Sequence, residues 1–246
     1  MKNRVNILNC PVDNVTMQQT LDFIKNAIVK REPIQHVVVN AAKLVYMQNN
    51  KELYDSVVNC DIINADGQSV VWASKILKSP LPERVTGIDL MENLVKMAHD
   101  NGFKLFFFGA KEDVVKSVVQ KYSLTYSDNV IAGYRNGYFK NDEELAIAHQ
   151  IGESGADILF VAISSPTKEI FLSKYKDIIN IPFVMGVGGS FDVIAGKVTR
   201  APKWMQKTGL EWFYRLAQEP RRMWKRYLVT NTIFVWLVFK QKFLNN

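Results

Sequence analysis

Through residue 195 the chain alternates short, almost wholly apolar runs with longer stretches of helical periodicity, and this alternation restricts its fold more than any other feature. The apolar runs are Val5–Leu8, His36–Val39, Asp61–Asn64, Lys104–Phe108, Asn129–Ala132, Asp157–Ile163 and Phe183–Val187. Several are apolar almost throughout, which suits strands covered on both faces. Between them, Met17–Lys30 sets Leu21, Ile24 and Ile28 on one face, with Thr16 placed to cap it. Leu90–Asp100, Glu112–Tyr122, Asp142–Glu153 and Lys168–Ile178 repeat that pattern. Strands alternating with helices over short links predict an α/β fold: a Rossmann-like, largely parallel sheet with helices on both faces. Gly102 and Gly155 precede strands as helix-ending glycines do.

The pattern changes near Ala195. We expect a catalytic α/β domain over residues 1–195 and a basic, helical C-terminal appendage over 196–246. Eleven of the 31 Lys/Arg but only two of the 24 Asp/Glu, Glu211 and Glu219, lie at or after Lys197. The appendage therefore carries +9 and the remainder −2. Such asymmetry points to an anionic partner that meets the appendage alone. Trp204, Trp212, Phe213, Tyr214, Trp224, Tyr227, Phe234 and Trp236 crowd the same region. The apolar stretch Tyr227–Phe239 would run roughly 20 Å as a helix, too short for a ~30 Å hydrocarbon core. Arg221, Arg222, Lys225 and Arg226 precede it. A helix lying in the membrane interface fits, with cations on headgroups and aromatic rings at the acyl boundary. The competing readings are a helix packed on its own domain and a helix in a homo-oligomer contact. Bulky aliphatic residues among the cations argue against nucleic acid.

Other composition narrows the class by exclusion. With 48% hydrophobic and 22% charged residues, the chain can build a full core and is not a disordered segment. Cys10 and Cys60 form no CxxC pair and read as buried thiols of a reducing compartment. His36, His99 and His149 are scattered, without zinc-ligand spacing. The N-terminus lacks the apolar core of a signal peptide, so export is not expected.

Four loops can carry chemistry. Asn64-Ala65-Asp66-Gly67-Gln68 ends a strand, the edge where parallel sheets bind ligands. Asp66 there can act as a general base or merely cap the helix that follows. Pro82-Glu83-Arg84-Val85-Thr86-Gly87-Ile88-Asp89 combines a guanidinium for phosphate, a hydroxyl and a carboxylate, or is an ordinary loop capped by Asp89. Gly186-Val187-Gly188-Gly189-Ser190-Phe191-Asp192 can bring backbone N–H groups to a phosphate, or be a tight turn. It is neither a dinucleotide fingerprint nor a P-loop. In Ser164-Ser165-Pro166-Thr167-Lys168-Glu169, the candidate substrate contacts are Ser165, Lys168 and Glu169, against a plain helix start with Pro166 in its first turn. No DxD pair suits a metal-bound nucleotide sugar, and no Ser–His–Asp or Cys–His arrangement is legible.

Taken together, these stretches resemble the WecG/TagA/CpsF family, glycosyltransferase family 26. The resemblance runs nearly the full length. It rests on Asn64-Ala65-Asp66-Gly67, the Leu81–Asp89 and Gly186–Asp192 blocks, Arg200-Ala201-Pro202-Lys203-Trp204-Met205-Gln206, the Gly209–Leu216 block and Gln218-Glu219-Pro220-Arg221-Arg222. It implies an inverting transferase that needs neither metal nor cofactor. The donor would be a UDP-activated hexose derivative: N-acetylmannosamine, its uronic acid, or glucose. The acceptor would be a polyprenyl-diphosphate-linked sugar on the cytoplasmic face of the membrane, for a cell-surface polymer such as teichoic acid or exopolysaccharide. The position matching Asp66 is the family's proposed base. Asn40 and Arg84 match pocket residues. Thr86, Gly87, Asp89, Gly186, Gly188, Gly189 and Asp192 join them as substrate contacts. Arg215, Arg222 and Arg226 match appendage arginines thought to reach the lipid diphosphate. The chain departs from the common pattern at Lys168, where many members carry Gln, and at Val38, where many carry Thr. Two rival classes stand against transfer: another nucleotide-binding α/β enzyme, and a non-catalytic membrane-surface adaptor.

Overall fold

The computed structural model describes residues 3–164 and 167–244. In chain order its elements are β1 (Arg4–Ile7), β2 (Cys10–Asp13), α1 (Met17–Lys30), β3 (Ile34–Val39), α2 (Ala41–Met47), α3 (Lys51–Val58), β4 (Ile62–Ala65), α4 (Gln68–Ile76) and α5 (Gly87–Asn101). There follow β5 (Leu105–Gly109), α6 (Glu112–Thr125), β6 (Ile131–Arg135), α7 (Glu144–Gly152), β7 (Ile158–Ala162), α8 (Thr167–Lys174), α9 (Lys176–Ile179), β8 (Phe183–Gly186) and α10 (Ser190–Ile194). The C-terminal segment holds α11 (Lys203–Lys207), α12 (Glu211–Gln218) and α13 (Pro220–Leu244).

The expected α/β architecture is present: a six-stranded parallel sheet of order β4-β3-β8-β7-β5-β6, flanked by helices. Each apolar run named above overlaps a strand, six of them in this sheet and the first in the hairpin β1–β2, although Asn129 and Val130 of the fifth run belong to a 3-10 turn before β6. Every residue of β5 is buried, whereas the edge strand β6 is only half-covered. Central strands flanked by helices have no solvent face, which is why Leu-Phe-Phe-Phe carries no alternation. Some boundaries move. The helix expected from Leu90 begins at Gly87, which places Asp89 inside its first turn rather than at its cap. The stretch read as Lys168–Ile178 divides into α8 and α9. Strand β2 and helices α2 and α3 were not foreseen.

The chain divides into two compact units. One comprises Gln18–Val37 and Gly87–Val198. Its core is aromatic, with Phe107 at 5.6 Å from Phe160 and 5.9 Å from Phe191, and Phe108 at 5.2 Å from Phe171. Odd and even positions of β5 thus serve opposite faces, as strand pleating requires. At the end of β5, a Cβ on Gly109 would lie 2.5 Å from the Ala162 backbone, so only glycine lets β5 and β7 meet there.

The other unit joins the described residues of Met1–Met17, Val38–Thr86 and Thr199–Asn246. Arg4 fastens its hairpin: Nε donates to Asp13 Oδ1 at 2.9 Å, and Nη2 donates to the carbonyls of Cys60 and Asp61. Asp13 Oδ2 accepts from Ile63 N–H at 2.7 Å, which ties the hairpin to β4. Helix α13 buries Met223, Thr230, Phe234 and Val238, a stripe at helical spacing, and it packs on α2. Near its end Gln241 Oε1 accepts from Leu8 N–H at 2.9 Å. The opposite face leaves Trp224, Leu228, Val235, Trp236, Phe239 and Phe243 exposed. Among the described residues, no helix is long and apolar enough to cross a membrane.

Candidate active site

In the unit that holds β4, three loops converge on the carboxyl ends of β3 and β4. Asn40 follows β3 and caps α2, its Oδ1 accepting from Lys43 N–H at 3.1 Å. Asp66 follows β4, and its N–H donates to the Val39 carbonyl at 2.9 Å. Gly67 stands at the N-cap of α4, one residue after Asp66, and has no side chain with which to cap it. A Cβ on Gly67 would lie 3.4 Å from Asn40 Cβ, which places the Asp66-Gly67 turn directly against Asn40. Asp66 is half-buried: it is neither sealed in the core nor fully in solvent. One residue before it, the Ala65 carbonyl accepts from Val85 N–H at 2.9 Å, which brings the Arg84 loop alongside. Thr86 is buried. Arg84 Nη1 lies 3.0 Å from Glu211 Oε2, at the start of α12.

In the other unit the structure brings Lys168, Glu169 and Gly186 together. Lys168 Nζ lies 3.1 Å from Glu169 Oε1, and both side chains are buried. A Cβ on Gly186 would come within 2.8 Å of Lys168 Cε and Nζ, so the lysine stem lies across the glycine. Gly188 has φ +53°, with nothing near its missing Cβ. Val187 N–H donates to Val161 and Ser190 N–H to Val187, so Gly188 and Gly189 become the turn's candidate anion donors. Helix α10 has five residues, and so short a dipole adds little to those donors. Asp192 lies in its first turn and Asp89 in that of α5, both half-buried, while Gly87 is buried at the start of α5. Ser165 lies outside the described residues.

In the C-terminal segment, Arg215 and Arg226 are exposed, on α12 and α13, and Arg222 stands in α13. Burial pushes the Tyr227 hydroxyl above its usual pKa, and the positive charges of Arg215 and Arg226 pull it back. Those two arginines therefore share one neighbourhood, braced by Trp212 edge-on to Tyr227 at 5.9 Å. Sequence reasoning missed Glu211 and Arg200 as site residues. Arg200 Nε lies 3.5 Å from Glu211 Oε1. Their motif blocks were legible; their pairing was not. Among the described residues, no three His, Cys, Asp or Glu side chains gather to hold a metal ion.

The sequence profile of the glycosyl transferase WecG/TagA/CpsF family matches residues 5–246. The chain belongs to this family. Among relatives of the WecG/TagA/CpsF protein is an N-acetylglucosaminyldiphosphoundecaprenol N-acetyl-beta-D-mannosaminyltransferase of Bacillus subtilis (strain 168). It is 35% identical over 224 residues, 90% of this chain and 86% of the relative. An enzyme of the same name from Bacillus spizizenii (strain ATCC 23059 / NRRL B-14472 / W23) is 38% identical over 183 residues, 74% of this chain and 69% of the relative. The WecG/TagA/CpsF protein is thus a glycosyltransferase, and the two rival classes fall away.

Proposed function

We propose that the enzyme moves an N-acetylmannosamine-type sugar from a UDP donor to polyprenyl-diphosphate-linked N-acetylglucosamine, at the inner face of the cell membrane. The names of the Bacillus relatives support the substrates. Asp66 takes the proton of the acceptor hydroxyl, which attacks the anomeric carbon opposite UDP, so the configuration inverts in one displacement. The observation that carries this reading is the half-buried Asp66 at the end of β4, in a turn whose next residue, Gly67, lies against Asn40. No metal takes part in the proposed step, in keeping with a sequence that lacks a DxD pair. Charge on the departing UDP is offset by arginine. Uronic acid or glucose donors are the variants to screen beside N-acetylmannosamine.

The appendage supplies docking. A helix that is apolar on both its packed and its outer face needs something to cover the outer one. On α13 that face runs from Trp224 to Phe243, with exposed Arg221, Lys225 and Arg226 at one end and Lys240 near the other. Lys240 Nζ stands 5.1 Å from the Trp236 ring centroid. Apolar rings flanked by cations match an anionic lipid surface, and Arg215, Arg222 and Arg226 would then meet the lipid diphosphate. The decisive test is release of UDP from UDP-N-acetylmannosamine with a short-chain polyprenyl-diphosphate-N-acetylglucosamine acceptor. The wild type is expected to turn over, and Asp66→Asn to bind UDP normally while losing about 10²–10⁴-fold in rate. Near-normal turnover by Asp66→Asn would remove the base assignment.

A further inference from the structure

A small hollow opens in the unit that holds β4, near the last turn of α13. It measures about 230 Å³ and is lined by Asn6 of β1, by Ile76, Leu77, Lys78 and Ser79 at the end of α4, and by Gln241 and Lys242 of α13. Both charged lining residues, Lys78 and Lys242, are cations, and no described carboxylate lines the hollow. Two ammonium groups, the Ser79 hydroxyl and the Asn6 carboxamide are a set of donors that suits a phosphate.

The walls are fixed. Gln241 Oε1 accepts from Leu8 N–H at 2.9 Å and its Nε2 donates to the Asn6 carbonyl at 3.3 Å, which fastens the end of α13 to the hairpin. On the other wall, the N–H groups of Leu77, Lys78 and Ser79 donate to the carbonyls of Ala73, Lys75 and Ser74 at 2.9, 3.1 and 2.9 Å. These bonds occupy carbonyls at the end of α4 that would otherwise repel an anion. Such a helix ending demands a left-handed residue, and Lys78 fills the place at φ +61°. Glycine is the usual occupant, because a Cβ is penalised there. The turn therefore does not explain the lysine. Lys242 follows the exposed Phe239 by three residues and the exposed Val235 by seven, so it borders the outer face of α13. With that face on lipid, the hollow would open at headgroup level.

We propose that this hollow takes the phosphate headgroup of an anionic phospholipid. It gives the enzyme a second lipid contact sixteen residues beyond Arg226, roughly 24 Å along the helix. The inference rests on the reading that the outer face of α13 docks on lipid. The full-length wild type, a hollow variant (Lys78→Gly with Lys242→Gln) and a charge-matched control (Lys225→Gln with Lys240→Gln) would be sedimented with phosphatidylcholine vesicles. The vesicles would carry phosphatidic acid or oleate at matched surface charge. The wild type should prefer the phosphatidic acid vesicles about tenfold. The hollow variant should lose that preference, whereas the control should weaken on both vesicles alike and keep it. Thermal melting of the hollow variant should not fall, since glycine adopts the left-handed conformation without penalty; if it does fall, Lys242→Gln alone decides. Parallel losses by the two variants on both vesicles would overturn the proposal, leaving only a general attraction of charge. Inorganic phosphate that bound the hollow as tightly as the vesicles do would assign it to a soluble anion and overturn it too. A wild type that binds neither vesicle would end the docking reading and the proposal together. Wild-type binding without a phosphate preference would end the proposal alone.

Discussion

Lys168 and Glu169 meet at 3.1 Å with side chains 11% and 7% exposed, while Glu211 holds Arg84 and Arg200 with about a third of its own side chain in solvent. The first is a sealed pair; in the second the carboxylate is the more exposed member. Each lies beside a strand-end turn of its own unit. A sealed pair derives its strength from low polarity around it, and loss of either partner strands a charge that water cannot reach. A carboxylate with a third of its side chain in solvent is partly screened, so its ion pairs stabilise less than those of a sealed pair.

The largest effect should follow Asp66→Asn, which removes the base. The rate loss of about 10²–10⁴-fold should come with unchanged stability in urea denaturation. Next comes the sealed pair. Lys168→Met should destabilise the fold by about 3–5 kcal/mol, because Glu169 is left buried without its cation. Glu211→Gln, by contrast, should shift stability by less than about 1 kcal/mol. Equal losses in the two variants would erase the distinction between the clusters. On the outer face of α13, Trp236→Glu with Phe239→Glu should lower partition onto anionic vesicles about 10–100-fold, the amount expected from keeping large side chains out of lipid. If sedimentation changes and vesicle binding does not, that face covers a second copy of the chain instead. A further effect concerns the buried thiol of β2 and appears only at alkaline pH. Burial pushes the Cys10 thiol up to about 12, against partial relief from Lys43 and Arg4. The unfolded chain loses that proton near pH 9 and the folded chain does not. Stability from Cys10 is therefore full below pH 9 and falls as pH rises toward 12, by no more than about 1.4 kcal/mol per pH unit. Cys10→Ala should flatten that part of a pH–stability curve.

Much of the framework was legible. Apolar runs located every strand of the large sheet because buried strands need no alternation, and Met17–Lys30 was read to the residue from its 3.6-residue period. Strand β2 escaped because Cys-Pro-Val-Asp is short and carries a proline, which an edge strand tolerates. Helices α2 and α3 escaped although each announces itself with a capping asparagine, Asn40 and Asn50, whose side chains accept from Lys43 and Leu53. Asp66 could be placed at a strand end, but whether it capped α4 depended on one residue of helix register.

What the sequence determined by itself was local and cumulative: which segments are strands, that the central ones are covered, where positive charge collects, and which family blocks the chain carries. Tertiary structure alone decided that Arg84 shares Glu211 across 127 positions, that Lys168 lies over Gly186, and which face of α13 stays outside. Periodicity reports how one segment meets its surroundings. Partners brought together by crossover connections depend on strand order, which leaves no periodic trace in the chain.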